Sequence, residues 1–276
     1  MLEILKAVIF GIVEGITEWL PISSTGHMIL LEQIMPFKHV STDFMNMFLV
    51  VIQLGAILAV VVLFWPKIYP FRHKGGFEIR KDIFEMWFKV IVACIPAVII
   101  VAFHIDDLSD KYFYNYISVA IMLILVGIVF IVVENWNKGK RPKIRKLSDI
   151  TYKTAIYIGI FQLVAAIFPG TSRSGSTIIG ALLLGVSRTV AAEFTFILAI
   201  PVMFGASLLK LIKFGFAFTG LEFGILIVGM LVAFFVSIFV IKFLMGFIKK
   251  HDFKVFGWYR IALGIVVILF YFITKF

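Results

Sequence analysis

Glu14 and Glu18 stand four residues apart in an apolar stretch, and Pro21-Ile-Ser-Ser-Thr-Gly-His27 follows at once. On a helix, this spacing projects both carboxylates from one face. Two close carboxylates repel unless a cation or a shared proton lies between them, so the pair suits either a divalent cation or a proton relay. The loop behind them supplies three hydroxyls (Ser23, Ser24 and Thr25) and the imidazole of His27. A neutral imidazole beside a hydroxyl can activate it as a nucleophile. Ser, Thr and Gly before an apolar run also form a helix N-cap, whose free N–H groups bind anions. The plainer alternatives are glutamates snorkelling to lipid headgroups and a loop that only caps the next helix.

A second loop, Pro169-Gly-Thr-Ser-Arg-Ser-Gly-Ser-Thr177, sets Arg173 among small and hydroxylated residues. An always-charged guanidinium with bidentate donors, ringed by hydroxyls and a helix N-terminus, is a phosphate cradle. Gly-x-Gly and P-loop patterns are absent, so nucleotide binding is not indicated. Two acids, a hydroxyl–imidazole pair and a cradled arginine together suit phosphoryl transfer or hydrolysis, with metal and arginine balancing the developing charge.

The two loops are copies. Gly11 matches Gly159 and Pro21 matches Pro169, each 148 positions on; one inserted residue later, Gly26 matches Gly175. The copying extends further, with Asp43-Phe44 recurring as Glu193-Phe194 and Gly55-Ala56 as Gly205-Ala206, 150 positions on. The acids do not recur: Gln162 and Ala166 replace them, so the first half alone carries the carboxylates.

The surroundings of these loops are apolar. The chain has 276 residues, 62% hydrophobic and 15% charged, with long apolar segments from end to end, as in a polytopic helical membrane protein. The segments lie at about 2–20, 22–35, 44–65, 88–104, 115–134, 152–168, 176–186, 193–214, 222–245 and 256–274. Each half contributes five. The expected organisation is a first membrane repeat over 1–135, a basic cytoplasmic linker over 136–151 and a second repeat over 152–276. Five is odd, so the second repeat must be inverted relative to the first. The pairs around Pro21 and Pro169 are interrupted, and irregular backbone at membrane depth survives only under cover of protein or a wet cavity. The expected fold is therefore an all-α inverted-topology repeat with two re-entrant helix–loop–helix hairpins and six full spans. Such repeats place midplane sites at broken helices.

The net charge of +10 does not indicate nucleic acid. Sixteen of the 26 Lys and Arg fall in three loops, 65–89, 135–153 and 246–256, whereas the short loop 104–111 carries Asp106, Asp107 and Asp110. That is positive-inside topology, with anionic lipid headgroups as partners. It puts the basic loops inside, loop 104–111 and both termini outside, and lets the hairpin tips meet near the midplane. Cys94 is the single cysteine and forms no internal disulfide. The opening residues lack a basic n-region and cleavage site, so the first segment is expected to be retained.

Glu14-Gly-Ile-Thr-Glu18-Trp-Leu-Pro-Ile-Ser-Ser-Thr-Gly-His27 and Pro169-Gly-Thr-Ser-Arg-Ser-Gly175 closely resemble the two signature motifs of the undecaprenyl-diphosphate phosphatase family, the BacA-type bacitracin-resistance proteins. Val51-Ile-Gln-Leu-Gly-Ala-Ile-Leu-Ala-Val-Val-Val62 and Gly185-Val-Ser-Arg188 are similar to the same family, so the resemblance covers essentially the whole chain. It implies removal of the terminal phosphate from a C55 polyprenyl diphosphate in the bacterial plasma membrane, at a site open to the outer face. It also implies recycling of the lipid carrier for peptidoglycan synthesis. The implied catalytic residues are Glu14, Glu18, Ser24, His27 and Arg173, with Ser23, Thr25, Ser172, Ser174 and Thr177 on the phosphate. A divalent cation, Mg or Ca, held by Glu14 and Glu18 is implied too, and the family admits a homodimer. The corresponding mechanism has Ser24 as nucleophile and His27 as its base, with a phosphohistidine on His27 as the rival.

Type-2 phosphatidate phosphatases also join a Pro-Ser-Gly-His loop to a Ser-Arg loop, but they need a His soon after the arginine. Here none follows Arg173 before His251. A different class, a polyprenyl-phosphate flippase or proton-coupled transporter, fits the inverted repeat but leaves the Ser–His pair without work.

Overall fold

A computed structural model describes residues 1–73, 77–103, 109 and 111–275. Among these residues the protein forms eleven α-helices. The first half contains α1 (Leu2–Thr17), α2 (Ser24–Ile34), α3 (Thr42–Val51), α4 (Gln53–Ile68), α5 (Lys81–Ala102) and α6 (Tyr116–Asn137). The second contains α7 (Tyr152–Ile167), α8 (Arg173–Leu183), α9 (Arg188–Phe214), α10 (Gly220–Phe247) and α11 (Lys254–Lys275). Asp106, Asp107 and Asp110, expected on the outer side, lie outside the described residues.

Among the described residues, six stretches are long and apolar enough to cross a membrane: Thr42–Ile68, which joins α3 to α4, then Lys81–Ala102, Tyr116–Asn137, Arg188–Phe214, Gly220–Phe247 and Lys254–Thr274. The protein is a helical, multi-pass membrane protein with the expected number of spans. One departure from an all-helical chain is a short antiparallel hairpin in the basic loop 65–89, pairing β1 (Phe71–His73) with β2 (Phe77–Ile79).

The helices flanking the two motif loops are too short to span, since a crossing needs roughly 20 residues. Their lengths repeat: α1 and α7 have 16 residues each, α2 and α8 have 11 each. The loops repeat as well. Ser23 (φ 75°) and Ser172 (φ 71°) are the non-glycine residues with positive φ among those described. Each caps the helix that follows, Ser23 Oγ accepting from Gly26 N–H at 3.4 Å and Ser172 Oγ from Gly175 N–H at 3.1 Å. A side chain held in so sparsely populated a conformation costs on the order of 1–3 kcal/mol and persists where its surroundings enforce it.

Packing ties one half to the other. Helix α1 lies on α10, and α7 lies on α5, so each half's first helix rests on the second long apolar helix of the other half. Small residues permit both approaches. A Cβ on Gly11 would sit 2.6 Å from the Gly229 carbonyl oxygen, and one on Gly159 would run into the Ala93 backbone. Helices α6 and α11 close the arrangement by packing along one another. The largest core cluster draws on both halves, with Trp19 meeting Phe196 edge-on at 5.2 Å.

Candidate functional site

The break after α1 and the break after α7 bring their contents together. Glu18 caps the C-terminus of α1, its N–H donating to the Glu14 carbonyl at 3.0 Å. From there its carboxylate reaches both loops. Ser24 Oγ donates to Glu18 Oε2 at 2.9 Å, and Arg173 Nη2 donates to Glu18 Oε1 at 2.7 Å. Ser174 Oγ adds a bond to the Glu18 carbonyl at 3.2 Å. Ser24 and Arg173 are the first residues of α2 and α8, so the two helix N-termini meet at this carboxylate. Helix α9 fixes the guanidinium from behind, through the Thr195 carbonyl at 3.2 Å and Met203 Sδ at 3.1 Å.

Beside this cluster lies a cavity of about 380 Å³, lined by Glu14, Ser24, Thr25, Asn46, Gln53 and Lys210 among others. Glu14 is 1% exposed, and its Oε1 has no hydrogen-bond partner. A buried carboxylate oxygen without a partner is costly, so such an atom marks a place for a donor or a cation. Hard divalent cations take oxygen ligands, and Mg typically needs one or two carboxylates together with water and substrate phosphate. Glu14, the Ser24 hydroxyl and the side-chain carbonyls of Asn46 and Gln53 meet that description. Glu18 fits less well, because both its carboxylate oxygens are already engaged. No group of three or more His, Cys, Asp or Glu suited to a metal occurs among the described residues.

His27 stands apart from Ser24. Its Nδ1 lies 2.7 Å from the Ser23 carbonyl and its Nε2 lies 2.8 Å from the Tyr259 hydroxyl, with the two rings stacked at 5.7 Å. A carbonyl only accepts, so Nδ1 carries the proton; a neutral ring then accepts from Tyr259 at Nε2. The expected Ser24–His27 pair is replaced by a Ser24–Glu18 pair, because one helical turn carries the imidazole back over its own N-cap.

The remaining expected residues divide in the same way. Thr25 lines the cavity with Ser24. Ser23 and Ser172 serve as caps, Ser172 also lying 3.1 Å from Ser174 Oγ. Thr177 is fully buried, donating to the Arg173 and Ser174 carbonyls and accepting from Thr195 Oγ1 at 2.9 Å. Gln162, which replaces the first acid in the second copy, is 2% exposed, and neither end of its amide has a partner.

Sequence reasoning missed Asn46, Gln53, Thr195, Met203, Lys210, Tyr259 and Arg260. Arg260 and Lys210 carried a signal, being cations inside the apolar segments 256–274 and 193–214, where ionisable residues mark function.

Residues 7–266 match the family model described as bacitracin resistance protein BacA. An undecaprenyl-diphosphatase of Desulfitobacterium hafniense is 65% identical over 98% of this chain and 97% of its own length. Undecaprenyl-diphosphatase 1 of Clostridium acetobutylicum is 63% identical over 99% of both. An undecaprenyl-diphosphatase of Enterococcus faecalis is 60% identical over 97% of both. With both motif loops and nearly the whole length inside the match, this chain belongs to the bacitracin resistance protein BacA family.

Proposed function

We propose that this protein hydrolyses undecaprenyl diphosphate to undecaprenyl monophosphate and phosphate, returning the carrier to peptidoglycan synthesis and thereby conferring bacitracin resistance. Glu18 carries the reading: one carboxylate contacts the hydroxyl of Ser24 and the guanidinium of Arg173, 155 positions from it in sequence. A hydroxyl, its base and an anion-binding arginine in one place are what phosphoryl transfer to a nucleophile needs.

In the proposed mechanism Arg173 binds oxygens of the terminal phosphate with the donors its protein partners leave over. Ser24 Oγ attacks the terminal phosphorus as Glu18 Oε2 takes its proton. The bond from phosphorus to the bridging oxygen breaks, and undecaprenyl monophosphate departs with that oxygen and the proton held by Glu18, which is thereby a free base again. Water then attacks the phosphoserine, giving a proton to Glu18, and phosphate leaves as Ser24 Oγ is reprotonated. His27, held by Ser23 and Tyr259, keeps the first loop in shape. A divalent cation held by Glu14 with neighbouring oxygens, and less directly by Glu18, supplies charge neutralisation on the diphosphate when bound.

The finer architecture belongs to the same proposal. The two halves form an inverted repeat and the pairs α1–α2 and α7–α8 are re-entrant hairpins, a reading supported by matched helix lengths, matched caps and the crosswise packing of α1 and α7. With the basic loops inside, the first hairpin enters from the outer face of the bacterial plasma membrane, and the substrate headgroup arrives from that side.

The test is phosphate release from a polyprenyl diphosphate by the purified protein, with and without EDTA, beside Ser24→Ala and Arg173→Ala. The expected result is metal-dependent release that both folded variants lose. No release by folded wild type under any cation would sink the enzyme reading in favour of lipid flipping.

A further inference from the structure

Arg260 lies within α11, fully buried. Its Nη1 donates to the Pro21 carbonyl at 3.3 Å, and its Nη2 donates to the carbonyls of Gly170 at 2.8 Å and Thr171 at 2.9 Å. Pro21 belongs to the first motif loop, Gly170 and Thr171 to the second. One guanidinium therefore joins the two breaks that carry Ser24 and Arg173. It also lies under the start of α8, where a Cβ on Gly175 would come within 3.5 Å of Nη1.

No carboxylate among the described residues forms an ion pair with Arg260. A buried, unpaired charge is an expensive way to fill space, and an apolar side chain of similar volume would serve packing alone at lower cost. What arginine adds is a planar fork that reaches acceptors on two chain segments at fixed spacing. Each loop already holds a serine in a strained conformation, Ser23 two residues after Pro21 and Ser172 next to Thr171. The fork binds the carbonyls just before those strained residues.

We propose that Arg260 is the positioning residue that sets the two loops against one another, so that Ser24 and Glu18 face Arg173; this rests on the phosphatase reading above. Lysine at this position keeps a charge but lacks the fork, and holds one loop at a time. The two loops then lose their common frame without loss of any group that touches substrate.

The experiment is a double-mutant cycle on the full-length protein in detergent, with kcat for phosphate release from a polyprenyl diphosphate and thermal unfolding measured on each member. The members are wild type, Arg260→Lys, Arg173→Lys and the double variant. Arg260→Lys is expected to lower kcat at least about tenfold, and the double variant to fall no more than about threefold below the weaker single, because both changes damage one alignment. The unfolding midpoints, by contrast, are expected to shift additively. Losses in kcat that multiply in the double variant, or an Arg260→Lys enzyme as active as wild type, would overturn the proposal and leave the phosphatase reading intact. An inactive wild type would overturn both. Where the lysine variant does not fold, Arg260→Gln, which reaches one loop only, completes the same cycle under the same criteria.

Discussion

Ser24 and Arg173 occupy the same place in two copies of one turn. Each is the first residue of an 11-residue helix, and each follows a serine with φ near 70° whose hydroxyl caps the N–H three residues on. The backbone has been kept twice while the side chains have parted. The first copy holds carboxylates and a hydroxyl, the second a guanidinium, and Glu18 is where they meet. The neighbouring segments have diverged in the same way: Gln53 faces the cavity in the first half, whereas Met203, 150 positions later, backs Arg173 in the second. Matched backbone supplies the frame, and asymmetry the proposed chemistry: two identical loops would put like charges together, whereas unlike ones put the proposed nucleophile beside the proposed anion-binding cation.

That division of labour can be broken in graded steps. Ser24→Ala removes the proposed nucleophile from the first loop, and kcat should fall at least ~10³-fold with the fold intact by circular dichroism. Glu18→Gln keeps the shape but loses the base and the bridge between loops; a loss of about 10²–10³-fold in kcat is expected in the same release assay. Arg173→Lys keeps a charge in the second loop but not its bidentate reach, and kcat/KM should drop by roughly 10–10²-fold. His27→Asn tests whether imidazole chemistry belongs to the first loop at all. With the ring turned to Tyr259, its loss should cost about tenfold or less, well under that of Glu18→Gln; a loss equal to Ser24→Ala would restore His27 as the partner of Ser24. Thr177→Val, in the second loop, removes buried hydrogen bonds behind the arginine. It should cost about 1–2 kcal/mol of stability by chemical unfolding, with activity changed only a few-fold.

Much of this was legible in the sequence. Ten apolar segments are visible in the sequence, and setting aside the two pairs interrupted at Pro21 and Pro169 leaves six spans; the copied motifs announced a composite site because ionisable residues in apolar segments have few structural uses. The pairing of Ser24 was not legible. Ser24 and His27 are neighbours in sequence, and it takes the bonds from Nδ1 to the Ser23 carbonyl and from Nε2 to the distant Tyr259 hydroxyl to engage the imidazole elsewhere. Nor could the sequence join Arg260 to loops 239 and 90 residues away, since nothing local distinguishes a clamp from an interfacial anchor. Asn46, Gln53 and Lys210 escaped for a similar reason: separate helices bring them to the cavity beside Glu14, and neither the family-like stretch that contains Gln53 nor the apolar segment that contains Lys210 records that meeting. The β-hairpin was hidden in a loop whose charges spoke only of topology.

The most direct test of the shared site is to trap the intermediate. Quenching wild type with detergent at neutral pH within the first turnover of a polyprenyl diphosphate labelled in its terminal phosphate, followed by peptide mapping, should place the label on Ser24, stable to later acid treatment and absent from Ser24→Ala. An acid-labile label on His27 would contradict the account, because the nucleophile would then be the imidazole held by Ser23 and Tyr259 and not the hydroxyl bonded to Glu18.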